Sequence, residues 1–340
     1  MTVSIPPAKR RPTIDDVAST AGVSRGTVSR VLNGGHWVSP DSLAAVNAAI
    51  KKTGYRVNPH ARSLATSRAN SVAFLLSETH DRLFEDPNFA ALMQGASTAL
   101  AARDISLVLI MAGTVDEQRR ATEFINAGHV DGVLLVSSHS TRSGLISDIV
   151  AANIPAIACG VPLGFERKMG YVAADDYNGA REMIGYLGSH GRRRIATIAG
   201  PDDTSGGRRR LDAYIAEQGA AYEPSMVARG DYSRASGAAA MTELLSRHPD
   251  LDAVFAANDM MAAGAIDVLT GAGRRVPHDV AVAGFDDAPI ATSMDPQLTT
   301  MRQPFGRISE EMVRLLLRVI DGERPATIIL PTDLIIRASA

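Results

Sequence analysis

In this 340-residue chain, hydrogen-bonding side chains repeatedly stand just past short apolar runs. Asn258 and Asp259 follow AVFAA, Asp286 and Asp287 follow VAVAGF, and Arg208–Arg210 come after RIATIAGPDDTSGG. Tyr232 stands in the turn-like GDYS. Carboxylates, an amide, a planar guanidinium and an aromatic face are the groups that hold a sugar. They offer paired hydrogen bonds to hydroxyls and a surface for the C–H face of the ring. Any one of them alone is first a solvated strand end or a helix cap.

Residues 13–64 suggest a second kind of chemistry. The first 70 residues hold ten Lys/Arg against three Asp/Glu, net +7, whereas the other 270 hold 25 against 34, net −9. The overall charge of −2 hides this division. A small basic head on a large acidic body suits one end to a polyanion.

The head reads as three short capped helices. Thr13, with Asp16 three residues on, begins the first in the manner of a capping box, and Ile14, Val17, Ala18 and Ala21 form one apolar stripe before Gly22. Ser24 caps the second, with Val23 and Val28 spaced as a hydrophobic staple. Two short helices joined by a tight glycine-containing turn make a helix-turn-helix. Ser39-Pro40 opens the third, which runs to Gly54.

The second helix turns Val28, Val31 and Leu32 inward and Arg25, Gly26, Thr27, Ser29 and Arg30 outward. An arginine at the start of a helix lying in the major groove can bond guanine through two hydrogen bonds. Gly26 weakens the helix, which makes sense where backbone must approach DNA closely. Docking of a protein partner is the competing use of such a head; the charge division and the caps favour DNA. The following NPHARSLATSR, residues 58–68, gives a polar, marginal fourth helix. Its Leu64 is either a packing residue or a wedge for a base step, and spacing alone leaves both open.

From residue 71 onward, runs such as SVAFLL, ISLVLI, GVLLV, IPAIAC, RIATIAG and VAVAGFDD alternate with helical stretches such as NFAALMQGASTALAARD. Apolar runs of this length suit strands of a parallel sheet covered on both faces. Around ten strands exceed one tidy sheet, so two doubly wound lobes are expected, dividing near Gly188–Arg193. Ligands of such sheets bind beyond the carboxyl ends of the strands.

The chain is ordinary globular material, 45% hydrophobic and 21% charged. Cys159, alone, excludes an internal disulfide or a cysteine-cluster metal site, and reads as a buried strand thiol. No apolar run approaches the ~20 residues that span a bilayer, and MTVSIPPAKRRP lacks a signal peptide's apolar core. The expectation is a cytoplasmic, nucleoid-associated protein with no membrane partner, metal or cofactor.

TIDDVASTAGVSRGTVSRVLN with NPHARSL downstream resembles the head and hinge of the lac repressor (LacI/GalR) family of transcriptional regulators. ANDMMAAGA, VAVAGFDD, LTTMRQP and LPTDLIIR follow in that family's usual order. The resemblance implies an α/β protein: a three-helix helix-turn-helix head plus hinge helix, then a two-lobed doubly wound α/β, periplasmic-binding-protein-like effector domain. The expected divisions are an arm at 1–12, the head at 13–57, hinge helix and linker at 58–70, and the effector and dimerisation domain at 71–340. Its lobes would comprise 71–189 with 304–331, and 190–303 with 332–340.

By the same resemblance, DNA contacts fall on Thr13, Ser24, Arg25, Gly26, Thr27, Ser29, Arg30, Asn33, Asn58, Ala61, Arg62 and Leu64. Asn58 would cap the hinge, Ala61 would meet its dimer mate, and Leu64 would open the central CpG step. Effector contacts fall on Phe89, Asp175, Arg210, Tyr232, Asn258, Asp286 and Gln303, with Arg208 and Arg209 as exposed helix-start charges. Arg25-Gly26, RLFEDPNF and HVDGVLLVSSHS look most like cellobiose- and β-glucoside-type repressors, which read GC-rich palindromes.

The expected molecule is therefore a homodimeric repressor of carbohydrate-utilisation genes that binds an inverted repeat and answers to a small sugar. Closing the sugar cleft would shift the lobes and part the hinges, with reciprocal coupling between sugar and operator. The ending IIRASA carries no leucine heptad tail, which favours a dimer over a tetramer. Two rivals fare worse. A nucleotide-dependent enzyme lacks a glycine-rich phosphate loop after any strand, and a sugar-transport protein would have no use for a basic head.

Overall fold

The computed structural model describes residues 10, 12–32, 34, 37–55, 68–137, 139–140 and 144–340. Two compact units divide after Ala69. Asn33, Asn58, Ala61, Arg62 and Leu64 lie outside the described residues, as does most of the expected hinge helix.

The head contains α1 (Ile14–Ala21), α2 (Arg25–Leu32) and α3 (Pro40–Thr53). Its local chemistry follows the sequence. Thr13 and Asp16 complete a reciprocal capping box, with Thr13 N–H donating to Asp16 Oδ2 at 2.7 Å. Gly22 and Gly54 close α1 and α3 at φ of 67°, left-handed positions that suit a residue without Cβ. The apolar stripes converge on Val17, Ala18, Val28, Val46 and Ala49, all buried, with Val23 and Leu32 packed at their edge. So few buried side chains hold a domain only when helix ends are satisfied locally, and the caps do that.

In the larger unit the strands of the first lobe are β1 (Ser71–Leu76), β2 (Ser106–Met111), β3 (Gly132–Val136), β4 (Ala156–Cys159) and β5 (Gly170–Ala174). Those of the second are β6 (Ile195–Ala199), β7 (Val227–Arg229), β8 (Ala253–Ala256), β9 (Ala281–Asp286) and β10 (Thr299–Arg302). The last two strands part company: β11 (Thr327–Leu330) joins the first sheet and β12 (Asp333–Ile335) the second. The orders are β11-β5-β4-β3-β1-β2 and β12-β10-β9-β8-β6-β7. Pairing is parallel throughout except at β12, which runs antiparallel to β10. Twelve strands among the described residues exceed the ten or so legible in sequence, because β7 and β12 are only three residues long.

The connecting helices of the larger unit are α4 (His80–Glu85), α5 (Pro87–Ala101), α6 (Val115–Asn126), α7 (Gly144–Ala151), α8 (Asp176–Ser189), α9 (Ser205–Gln218), α10 (Arg234–Arg247), α11 (Asp259–Gly271), α12 (Ile290–Ser293) and α13 (Phe305–Ile320). None of the described helices is long and apolar enough to cross a membrane. Helix α8 buries Ala180, Met183, Ile184 and Leu187 among Ile195, Phe255 and Phe285. It therefore covers the second sheet. The chain passes between lobes at its start, near Asp175–Asp176, rather than at Gly188–Arg193, where sequence marked the division. Sequence marked the next strand; packing shows which sheet the intervening helix serves.

Helices α10 and α11 pack backbone to backbone. A Cβ on Gly237 would sit 2.3 Å from the Met261 carbonyl oxygen, and one on Gly264 would sit 2.0 Å from that of Arg234. This contact holds the starts of both helices together on one side of the cleft. Behind it, fully buried Asp259 accepts from Ala288 N–H at 2.7 Å and Thr300 Oγ1 at 2.5 Å. Burial, with Asp286 close by, pushes its carboxyl well above the usual range. Asp259→Ala would strip two buried donors of their acceptor, and should lower the unfolding free energy by roughly 2–4 kcal/mol. Urea denaturation followed by circular dichroism measures it; a loss below about 0.5 kcal/mol would show that the bonds contribute little.

Candidate functional site

In the head, α2 presents an exposed polar face. Ser24 Oγ accepts from Thr27 N–H at 3.1 Å and lies 2.9 Å from Thr27 Oγ1, so the cap also fixes the threonine. Arg25 and Arg30 are exposed, Thr27 and Ser29 half-buried. Arg25 Nε lies 3.9 Å from Asp15 Oδ1, while Arg30 Nε donates to the Gly26 carbonyl at 3.3 Å. A Cβ on Gly26 would meet nothing nearer than Ser24 Oγ at 3.7 Å, an ordinary contact. Among the described residues, the head's packing does not require glycine there. The Thr13 hydroxyl is engaged by Asp16 Oδ2 at 2.8 Å.

The second region is the cleft between the two lobes of the larger unit. Each lobe has the strand order in which the connection reverses beside its first strand, and ligands of such sheets sit at that reversal. Both reversals open on this cleft. Glu78 follows β1 and Ser137 follows β3; Thr204 follows β6 and Asn258 follows β8; all four line it.

At its centre lies Arg210, 6% exposed. Its Nη2 is 2.7 Å and its Nε 2.9 Å from Asp176 Oδ1, and its Nη1 is 3.6 Å from Asp286 Oδ1 and bonded to the Ala257 carbonyl. The guanidinium carbon lies 3.7 Å from the centre of the Phe285 ring. Burial opposes the charge, yet Asp176 and Asp286 outweigh it and hold Arg210 protonated beyond its already high range.

Asp286 accepts from Asn88 Nδ2 at 2.7 Å across the cleft and from Gln303 Nε2 at 2.6 Å at the lobe crossing. Burial raises its carboxyl; Arg210 pulls it down and Asp86 pushes it up, leaving a net upward shift. Its φ of 116° is a backbone conformation seldom adopted by a side-chain-bearing residue, and Asp287 follows at 58°. The strain is held in place by Asp287, which Arg302 and Arg337 grip at 2.7 and 2.6 Å.

Tyr232, at φ 71°, presses its ring onto the backbone of Gly200, where a Cβ would lie 2.6 Å from it, and its hydroxyl lies 3.0 Å from Thr204 Oγ1. Asn258, 2% exposed, caps α11 by accepting from Met261 N–H at 2.9 Å and donates Nδ2 to the Tyr232 carbonyl at 3.0 Å. It therefore aims the tyrosine as much as it faces the cleft. Phe89, buried on α5, supplies the apolar wall of the first lobe, joined by Phe305.

Six of the seven effector residues expected from sequence thus line one cleft: Phe89, Arg210, Tyr232, Asn258, Asp286 and Gln303. Asp175 does not. Its carboxylate accepts from Asn178 N–H at 3.3 Å and Asn178 Nδ2 at 2.7 Å, capping α8, and the neighbouring Asp176 turns inward instead. Adjacent residues at a helix start point about 100° apart, so a one-residue shift separates cap from ligand wall. Arg208 is exposed, as expected of a helix-start charge.

Sequence reasoning missed Asp86, Asn88, Asp176 and the Glu78–Ser137 pair. Asp86-Pro87 at a helix start in FEDPNF was the available signal for the first two. Cys159 ends β4 half-buried at the cleft, and burial pushes its thiol up to about 12.

Comparison with known proteins supplies the context. Residues 13–58 match "Bacterial regulatory proteins, lacI family" and residues 184–340 match "Periplasmic binding protein-like domain". The chain is 43% identical over 337 residues to the HTH-type transcriptional regulator CelR of Thermobifida fusca, covering 97% of this chain and 99% of that one. Of the solved structures, a transcriptional regulator CelR–cellobiose complex is 42% identical with a TM-score of 0.78, covering 97% of this chain and 100% of that one. The lac repressor dimer bound to operator and the anti-inducer ONPF gives a TM-score of 0.86 at 26% identity, over 97% and 99%.

Arg210→Leu would leave Asp176 and Asp286 buried without their cation. The larger unit should lose roughly 3–5 kcal/mol at pH 8. The deficit should shrink as pH falls, because the stranded carboxylates neutralise by taking up protons. Denaturant titrations at pH 8 and pH 5.5 test this, and a deficit that grew on acidification would contradict it.

Proposed function

Because the chain belongs to the lacI family of bacterial regulatory proteins, we propose that it is a carbohydrate-responsive member whose effector is cellobiose or a closely related β-glucoside. It is a sequence-specific DNA-binding transcriptional regulator. The observation that supports the effector reading is the cleft. Asp86, Asp176, Asp286, Asn88 and Arg210 line it together with Phe89 and Phe305, which pack on the first-lobe core, and Tyr232, which packs on the second. Carboxylates and a guanidinium bond vicinal hydroxyls in pairs, and the rings cover the C–H faces of a pyranose. The cellobiose found in a 42% identical structure is the natural first ligand to try.

On the DNA side, α2 lies in the major groove with Arg25 reading guanine and Gly26 allowing close backbone approach. Ser24, Thr27, Ser29 and Arg30 contact the duplex around it, with Thr13 at the first helix start. Asn33, Asn58, Ala61, Arg62 and Leu64 complete the interface, Leu64 as the minor-groove wedge. The chain acts as a homodimer on a GC-rich inverted repeat. An edge of the first lobe suits such pairing: β2 and α6 leave Leu109 39% and Phe124 38% exposed around a hollow that Glu117 and Arg120 also line, and Val115 stands 82% exposed at the start of α6. Uncovered edge strands with this composition are pairing surfaces. Effector closes the cleft and alters operator affinity through the lobes, and operator in turn changes effector affinity by the same factor.

Two measurements test these readings. Gly26→Ala should stabilise the head by about 0.5–1 kcal/mol, since alanine is the better helix former and its methyl has room. It should nonetheless weaken operator binding, as should Arg25→Ala, which is expected to cost about 1–3 kcal/mol on operator and little on random duplex. Equal losses on both duplexes would remove base reading from α2.

For the effector, calorimetry should find cellobiose binding to the wild type in preference to the contrasts glucose, maltose and lactose, and no binding to Asp286→Asn. Fluorescence anisotropy on a GC-rich inverted repeat should then show that cellobiose shifts operator affinity only in the wild type. Wild-type indifference to every β-glucoside would sink the sugar assignment, and unaltered binding in the variant would take Asp286 out of the site.

A further inference from the structure

At the cleft's rim, outside the sugar-facing cluster, a single imidazole bridges the two lobes. His139 lies two residues beyond Ser137 at the end of β3, in the first lobe. Its Nε2 lies 2.9 Å from Glu78 Oε1, on the segment that follows β1 of the same lobe. Its Nδ1 lies 3.0 Å from Asp203 Oδ1, which belongs to the loop after β6 in the second lobe. A main-chain bond runs alongside, from Ser140 N–H to the Asp203 carbonyl at 2.8 Å. The His139 side chain is 11% exposed, that of Glu78 13% and that of Asp203 21%, so water screens the contact poorly.

The donor count fixes the chemistry. An ionised carboxylate only accepts, and a neutral imidazole has one N–H. With carboxylate oxygens at bonding distance on both ring nitrogens, both nitrogens must donate, which requires the imidazolium. The ring is thus bound to its own lobe through Glu78 and to the opposite lobe through Asp203. Ser137 Oγ also donates to Glu78 Oε1 and fixes that acceptor.

We propose that His139 is a positioning residue that clamps the effector cleft shut through Asp203, and that it does so only when protonated, so that closure on the sugar takes up a proton. This rests on the effector reading above and adds the regulation of that site by pH. The charges around the ring agree. Burial disfavours the imidazolium, but Glu78 and Asp203 together outweigh it and raise His139 above the ordinary 6.5. Glu78 is disfavoured by burial too, yet its bonds from His139 and Ser137 and the charge of Arg82 on α4 keep it below its usual range. Asp86, at the start of α5, is raised by burial and further by Glu78.

Opening the cleft takes Asp203 away and leaves His139 with Glu78 alone, so its pKa falls. The clamp is therefore at full strength below the open-state value and fades as pH rises through the raised closed-state value. The upper edge of that window lies above the ordinary histidine value of 6.5. Linkage of one proton can change affinity by at most about tenfold per pH unit.

The test is a set of cellobiose calorimetric titrations from pH 6 to 8.5 on wild type, His139→Gln and Asp203→Asn. In the wild type the Kd should weaken at least about threefold across the range, with net proton uptake on binding at pH near 7 measured in buffers of different ionisation enthalpy. Both variants should bind more weakly at pH 6 and give flat profiles. Parallel slopes in wild type and His139→Gln, or no proton uptake, would overturn the clamp. Thermal unfolding of the sugar-free proteins judges it without a ligand: the wild-type advantage over Asp203→Asn, which leaves the His139–Glu78 pair in place, should shrink steadily from pH 6 to 8.5. If cellobiose bound no form while this advantage still shrank, the effector assignment would fall and the clamp would stand. A constant advantage would overturn the clamp.

Discussion

The larger unit depends on how one buried cation is compensated. Arg210 is almost wholly out of water, and a guanidinium so placed is tolerable only where carboxylates and carbonyls replace its hydration shell. Asp176 at the start of α8, Asp286 at the end of β9 and the carbonyl beyond β8 all converge on it. These groups come from the lobe crossing and from two strands, so the cation fixes three elements at the floor of the cleft. The strained backbone of Asp286 belongs to the same constraint. Its carboxylate must reach Arg210, Gln303 and Asn88 at once, and Asp287 is tethered by two arginines behind it.

A cleft built this way responds readily to what enters it. Asp86, Asp176 and Asp286 crowd around few cations, and burial pushes two of them, Asp86 and Asp286, above the usual range. A ligand that brings hydroxyl donors relieves that crowding, whereas an anion would worsen it. The lobes meet here through a small number of polar contacts, Asn88 with Asp286 and His139 with Asp203, rather than through a sealed apolar interface. Polar interlobe contacts of this kind leave opening energetically accessible, which suits a domain whose task is to report occupancy.

The head obeys a different economy. It has few buried side chains, so helix ends and turns carry an unusual share of its specification: Thr13 with Asp16, Ser24 with Thr27, and Ser39 before Pro40. The outer face of α2 nonetheless keeps Arg25 and Arg30 exposed to solvent. Around Gly26, no described neighbour lies closer to an added Cβ than 3.7 Å, so the packing of the described residues does not explain the glycine.

Capping and periodicity are local, and they were legible. The three helices of the head, the strands SVAFLL, GVLLV and AVFA, and the likeness to a regulator family could all be read from consecutive residues, because each signal lies within one element. Strands β7 and β12 were not legible, since three residues carry no period and only a neighbouring strand makes them part of a sheet. The sequence by itself determined which polar residue types stand at the strand ends of the body and on the second helix of the head. Tertiary structure alone decided which of two adjacent aspartates caps and which faces the cleft, that α8 serves the second lobe, and that Glu78, His139 and Asp203 meet. The reason is geometric: those outcomes depend on the rotation of a helix against its sheet and on the approach of loops 60 or more residues apart, which no window along the chain contains.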